Sequence, residues 1–250
     1  METAEFVEVL REEGRLFADA VEKAAPEAPV TGCPGWSVRD LTTHLGRVHR
    51  WARGFVVTGR VTRVQLPDVP ELADDALAPW LREGHGALVE ALLAAPSDLE
   101  CLTFLPAPSP LAFWARRQAH ETAVHRVDAE TSLGVPLTPL GSGFAADGID
   151  ELLCGFAPRI KVPEGAARTP RTLAVRATDV DGALWTVRLG EPGERLRAEK
   201  VTEPLPEADL VYEGSASDLY LTLWNRLPLT TVTLRGSLET AQQWQSILTP

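Results

Sequence analysis

Hydrophobic residues recur at helical spacing through the first half of the chain and at alternating spacing through much of the second. Residues 3–24 carry Phe6, Leu10, Phe17 and Val21 on one face, with Glu and Arg on the other, which predicts an amphipathic helix. The Pro- and Gly-rich stretch 25–35 reads as a turn. Ser37 and Asp40 then form a capping-box pattern, and Trp36 and Leu41 occupy hydrophobic-staple positions. A second helix is therefore expected from about Ser37 to Val57, with the stripe Leu41, Leu45, Val48, Ala52 and Phe55. Leu77, Leu81, Leu88 and Leu92 predict a third helix over 74–95, and a fourth is expected over 110–131 after a proline-rich loop. Four helices joined by polar connections predict a four-helix bundle over 1–133.

After Leu133 the pattern changes. Residues 147–156 read as a helix, while 173–177 and 184–189 alternate with the period of half-buried strands. Weaker strands are expected over 196–201 and 208–212. Ser215 and Asp218 cap a helix ending near Arg226, followed by a strand over 231–235, a turn at Gly236 and a last helix over 238–248. The mixture predicts an α+β domain over 140–250, so the expected fold class is α+β with two domains.

Composition narrows the function. At 250 residues, 44% hydrophobic and 24% charged, the chain has the makeup of a globular protein. Its net charge of −11 argues against nucleic acid and anionic membranes as partners, yet leaves room for a small anionic substrate in a locally basic pocket. No apolar run reaches the roughly 18 residues of a membrane helix, and the acidic N-terminus lacks a signal-peptide pattern. Cys33, Cys101 and Cys154 are odd in number and without metal-type spacing, so free thiols in a reducing cytoplasm are expected. Only three of the 24 basic residues are lysine, a bias typical of GC-rich bacterial genomes.

The chemistry concentrates on two predicted helices. Glu121 and His125 are four residues apart, about 40° in projection on an α-helix, and can reach one ion. His44 on the second helix completes a His₂Glu set, a donor combination of catalytic zinc with a coordination position left open. Other readings compete: His44 as a core histidine, Glu121 salt-bridged to Arg47, Arg116 or Arg117, or the whole face solvated. His120 is five residues from His125, about 140° around the helix, which sets the segment apart from an H-E-x-x-H protease motif. Asp128 is placed either behind His125 as an orienting group or in a surface ion pair with Arg126 or a neighbour, the second being favoured. His49 is expected near the surface and His85, between Gly84 and Gly86, in a loop or at a helix end. Cys33, between Gly32 and Pro34, reads as a turn residue rather than a nucleophile.

At these residues the chain resembles the mycothiol-dependent maleylpyruvate isomerase family of actinobacteria, within the DinB-like metalloenzymes. The resemblance rests on Cys33-Pro-Gly-Trp-Ser-Val-Arg-Asp-Leu-Thr-Thr-His44, on His120-Glu-Thr-Ala-Val-His-Arg-Val-Asp128, and less specifically on the segments 147–153 and 214–226. It implies a DinB-like bundle followed by a smaller sterol-carrier-like domain, and His44, Glu121 and His125 as ligands of zinc or another divalent metal. It also implies mycothiol as cosubstrate and Arg226 as an active-site arginine, against the alternative of a basic residue ending a helix. The implied reaction adds a thiol to a small electrophile, isomerising it or leaving the thiol attached; Arg226 would receive a substrate carboxylate. A metal-dependent hydrolase and a non-catalytic binding or regulatory module are the competing classes, and the state expected is a monomer or homodimer.

Overall fold

The computed structural model describes residues 1–162, 171–202, 204 and 206–248, with the backbone alone at Arg171. It divides into two compact units, Met1–Thr138 and Pro139–Pro250. The first is built from α1 (Thr3–Val21), α2 (Val38–Thr58), α3 (Asp74–Ala94) and α4 (Pro110–Leu133). Helix α1 lies against α4 and α3, and α2 against α3 and α4, which is the square of a four-helix bundle.

Local chemistry sets the helix ends. The Ser37 hydroxyl accepts from Asp40 N at 3.2 Å, and the Asp40 carboxylate accepts from Ser37 N at 2.9 Å, so the capping box forms as expected. Ser109 caps α4 ahead of Pro110, whose missing N–H is lost where no helical partner exists. Gly134 closes α4 in the left-handed region, at φ 72°. Helix α4 has no single apolar stripe because it is buried on nearly every side, from Phe113 to Glu130. Its polar residues are consequently paired inside the bundle. The fully buried Arg126 donates to Glu13 of α1 at 2.7 Å and to Glu130 at 2.7 Å, and Glu130 also accepts from Thr138. Burial pushes the Glu13 carboxyl above its ordinary range, against the pull of Arg126.

Two histidine placements differ from the sequence expectation. His49 is wholly buried, not near the surface, and shares a 2.9 Å hydrogen bond with Thr122. A helix packed on two neighbours buries more than one stripe, so angular distance from His44 does not measure depth. His85 lies inside α3, not in a loop, and donates from Nε2 to Leu10 O at 2.9 Å. Its flanking Gly84 is a packing residue: a Cβ there would strike the Arg50 guanidinium, which lies 4.0 Å over the Trp80 ring.

In the second unit, α5 (Ser142–Asp150) starts earlier than expected and runs into a wider-wound turn at Glu151–Phe156 and a tight one at Ala157–Arg159. The sheet contains β1 (Arg171–Ala177), β2 (Leu184–Leu189), β3 (Arg197–Lys200), β4 (Leu210–Gly214) and β5 (Thr233–Gly236), in the order β3-β2-β1-β4-β5. Among the described strands only the β1/β4 pair is parallel; Val175 faces Trp185 on one side and Tyr212 on the other. Helix α6 (Ala216–Leu223) packs on β1, β4 and α5, and α7 (Leu238–Leu248) on β5, giving the expected α+β layer. Among the described residues no helix is long and apolar enough to cross a membrane.

Removing one partner from a buried ion pair strands the remaining charges, so Arg126→Ala should lower the urea-unfolding free energy by about 3–5 kcal/mol. Arg15→Ala, which breaks only exposed pairs with Glu12 and Asp19, should change it by no more than about 1 kcal/mol. Acid sensitivity should follow from the buried imidazoles. Burial holds both His49 and His85 below the ordinary 6.5, so the unfolded chain takes up protons that the fold refuses. The stability they contribute is present above pH 6.5 and lost as the pH falls below it. The difference in unfolding free energy between pH 7.5 and 5.5 should therefore be smaller in His85→Gln, whose amide still donates to Leu10, than in the parent.

Candidate metal centre

Helix α2 places His44 about two turns beyond its capped start, and α4 places Glu121 and His125 one turn apart. The three side chains converge. His44 Nε2 lies 3.3 Å from Glu121 Oε1, and His125 Nε2 lies 3.5 Å from the same oxygen. The imidazole rings meet edge to face with centroids 5.2 Å apart. His44 and Glu121 remain 29% and 24% exposed in their side chains and His125 only 10%, so the cluster sits at the bundle surface with one open side.

The surroundings hold each donor in place. Arg117, buried in α4, lies 3.3 Å from Glu121 Oε2, leaving Oε1 to the two histidines. The salt bridge considered as an alternative to metal binding is therefore present beside the His₂Glu cluster, on the other carboxylate oxygen. Arg47 instead donates to Pro67 O at 2.6 Å. His125 Nδ1 donates to Asp128 Oδ2 at 2.9 Å, and Asp128 is buried. The favoured surface pair between Asp128 and Arg126 does not form, because Arg126 is taken by Glu13 and Glu130. The Trp36 ring lies against both imidazoles, with centroids 4.8 Å from His44 and 6.3 Å from His125. His120 is buried away from the trio, edge-on to Phe6.

Charge and geometry both suit a cation. Burial raises the Glu121 carboxyl, yet hydrogen bonds from His125 and His44 outweigh it and hold the group well below its ordinary value. Burial lowers the His125 imidazole, but bonds to Asp128, Cys33 and Glu121 carry it well above the ordinary 6.5. The cluster thus already supports positive charge on the imidazole side of a fixed carboxylate. Nitrogen and oxygen donors at about 2.0–2.1 Å from a tetrahedral zinc stand about 3.3 Å apart, close to the separations found here. All three donor atoms fall within 4.8 Å of one another, so a single ion can meet them with little movement.

Arg226 belongs to the second unit. It follows Asn225, a non-glycine residue at φ 61°, which turns the chain out of α6. Its backbone N–H donates to Leu221 O at 2.7 Å and its Nη1 to Trp224 O at 2.8 Å, so the half-buried guanidinium helps finish the helix. Sequence reasoning singled out His44, Glu121 and His125, which the structure brings together, but missed Trp36 as a wall of the cluster. The available signal was its position beside Ser37, eight residues before His44.

Residues 7–130 match the model of the mycothiol maleylpyruvate isomerase N-terminal domain, and residues 143–243 match that of the C-terminal domain of the same proteins. Among solved structures, the fold resembles a mycothiol-dependent maleylpyruvate isomerase at 15% identity and a TM-score of 0.63, covering 95% of each chain. A mutant of such an isomerase, with one histidine replaced by alanine, matches at 13% identity with the same TM-score and coverage. No curated protein matches the sequence.

Proposed function

The chain belongs to the mycothiol maleylpyruvate isomerase family, and on that premise we propose that it is a zinc- and mycothiol-dependent enzyme that adds a thiol to a small electrophile. The observation that carries this reading is the meeting of two imidazole Nε2 atoms on one carboxylate oxygen, at 3.3 and 3.5 Å, at an accessible edge of the bundle. His44, Glu121 and His125 would hold zinc or another divalent ion. When bound, the ion supplies Lewis acidity at its open position, sufficient to keep a coordinating thiol deprotonated.

The chain's own residues do the rest. Arg117 fixes one oxygen of Glu121 so that the other is presented to the histidines. Asp128 fixes the orientation of His125 by holding its Nδ1 proton, which leaves Nε2 as the donor. Trp36 covers one side of both imidazoles and keeps water from that side. Arg226 carries a planar guanidinium of the kind that makes a two-pronged contact with a carboxylate.

In the isomerase form of the reaction, the thiolate sulfur adds to one carbon of a cis double bond and the displaced electron pair moves onto a conjugated carbonyl. The former double bond rotates as a single bond, the electron pair returns, and the sulfur leaves as thiolate. In the transferase form, a proton is delivered to the adjacent carbon and the sulfur stays. Both forms need an electrophile with an activated carbon.

Protein purified without chelators should carry close to one equivalent of zinc by elemental analysis, and folded His125→Ala should carry almost none. Turnover of a cis-unsaturated keto acid should require both the metal and added mycothiol. Metal-dependent turnover that ignores the thiol would replace this reading with that of a hydrolase. Freshly isolated protein that is metal-free and takes up no zinc would overturn it altogether.

A further inference from the structure

Cys33 stands in the turn between α1 and α2, and that turn is tightly braced. Val30 N donates to Trp36 O at 2.9 Å, Cys33 N to Val30 O at 3.1 Å, and Trp36 N to Cys33 O at 3.0 Å. Gly35 takes the left-handed conformation, at φ 86°, that closes the loop. Ser132 on α4 ties the loop's base to the helix, donating to Pro29 O at 3.1 Å and lying 3.0 Å from Asp128 O. The thiol is half-buried and 95 residues from its Asp128 partner in sequence.

That partner is the carboxylate behind the proposed metal ligand. Cys33 Sγ lies 3.6 Å from Asp128 Oδ2, the same oxygen that accepts the His125 Nδ1 proton at 2.9 Å. Resting on the metal reading above, we propose that Cys33 is a positioning residue of the metal centre: its S–H holds the Asp128 oxygen that orients His125 toward the ion. The relay runs from thiol to carboxylate to imidazole, the thiol also lying against the imidazole itself, with the ion on the far nitrogen.

A carboxylate oxygen has two lone-pair directions in its plane. With one taken by His125 and the other by the thiol, the carboxylate cannot swing about its Cα–Cβ and Cβ–Cγ bonds without losing a contact. Asp128 is 1% exposed, so water cannot readily replace a lost donor. The imidazole of His125 inherits that rigidity and presents Nε2 in one direction. The three atoms are also close enough for Cys33, Asp128 and His125 to be considered as a metal-binding group themselves. A metal on that side would need His125 Nδ1, the nitrogen whose proton Asp128 holds, so the positioning role is the one compatible with the His44–Glu121–His125 set.

The test compares the parent protein with Cys33→Ala, Cys33→Val and Cys33→Ser. Zinc affinity is read by competition with a chromophoric chelator, and ligand geometry by the visible spectrum of the cobalt-substituted protein. Partners behind a metal-bound histidine typically contribute 10–100-fold to affinity, and a group one bond further out should contribute roughly 3–10-fold. Cys33→Ala should show that loss with a changed cobalt spectrum, while the metal-free protein melts as the parent does. Cys33→Val, which fills the thiol's space without a donor, should behave in the same way. Cys33→Ser, which keeps the donor, should return affinity and spectrum to those of the parent.

Equal affinity in parent, alanine and valine variants would overturn the positioning role while leaving the metal site intact. A serine variant as weak as the alanine variant would do the same. So would a thiolate-to-cobalt charge-transfer band present in the parent and absent in Cys33→Ser, because that places the sulfur on the metal. A parent protein that takes up neither zinc nor cobalt would overturn the metal reading and this inference together.

Discussion

A carboxylate near the edge of a bundle needs compensation, and the site is organised around how Glu121 obtains it. One oxygen lies against the Arg117 guanidinium; the other faces two imidazoles that approach from different helices. If α2 and α4 slid past one another by a single turn, about 5.4 Å, this arrangement would be lost. The packing that sets their register therefore also sets the geometry of the cluster. Leu41 and Leu45 flank His44 in the buried core, and Ala123 and Val124 lie between Glu121 and His125. Apolar burial fixes the helices, and the polar residues are carried to their meeting point by that burial.

The same logic explains why α4 tolerates so many charged residues inside the bundle. Arg126, Glu130 and Asp128 are all buried, and each has specific partners: Glu13 for Arg126, Thr138 for Glu130, His125 for Asp128. A buried charge without such pairing costs several kcal/mol. The pairs split by function. Arg126 and its two carboxylates tie α4 to α1 and to the segment leaving the helix, whereas Asp128, two residues on, serves the ligand face. Neighbours in sequence thus separate a structural network from the proposed metal centre, because successive side chains on a helix point about 100° apart.

Much of this architecture was legible in local sequence. Ser37 with Asp40 announced one helix start, a proline-rich loop announced another, and the four-residue spacing of Glu121 and His125 announced a shared face. The failures were those of depth and long range. His49 was placed near the surface because a helical wheel assumes one buried side, while α2 packs on both α3 and α4. Gly84 and Gly86 suggested a break around His85. In the structure Gly84 is instead where Arg50 approaches α3, and Gly14 on α1 is where the His85 ring approaches. Asp128 was expected to pair with Arg126 or a neighbour, but Glu13, 113 residues away from Arg126, takes that arginine. The contacts of Cys33 with Asp128 and of Trp36 with His125 are likewise remote in sequence, so periodicity carries no trace of them.

The central claim is that two imidazoles and one carboxylate share a single divalent ion. X-ray absorption at the zinc edge of the zinc-loaded protein, in buffer free of small thiols, tests it most directly. The account predicts a shell of nitrogen and oxygen donors at about 2.0–2.1 Å, with the outer-shell scattering of two imidazole rings and no sulfur. A sulfur at about 2.3 Å, or a shell without imidazole scattering, would contradict it.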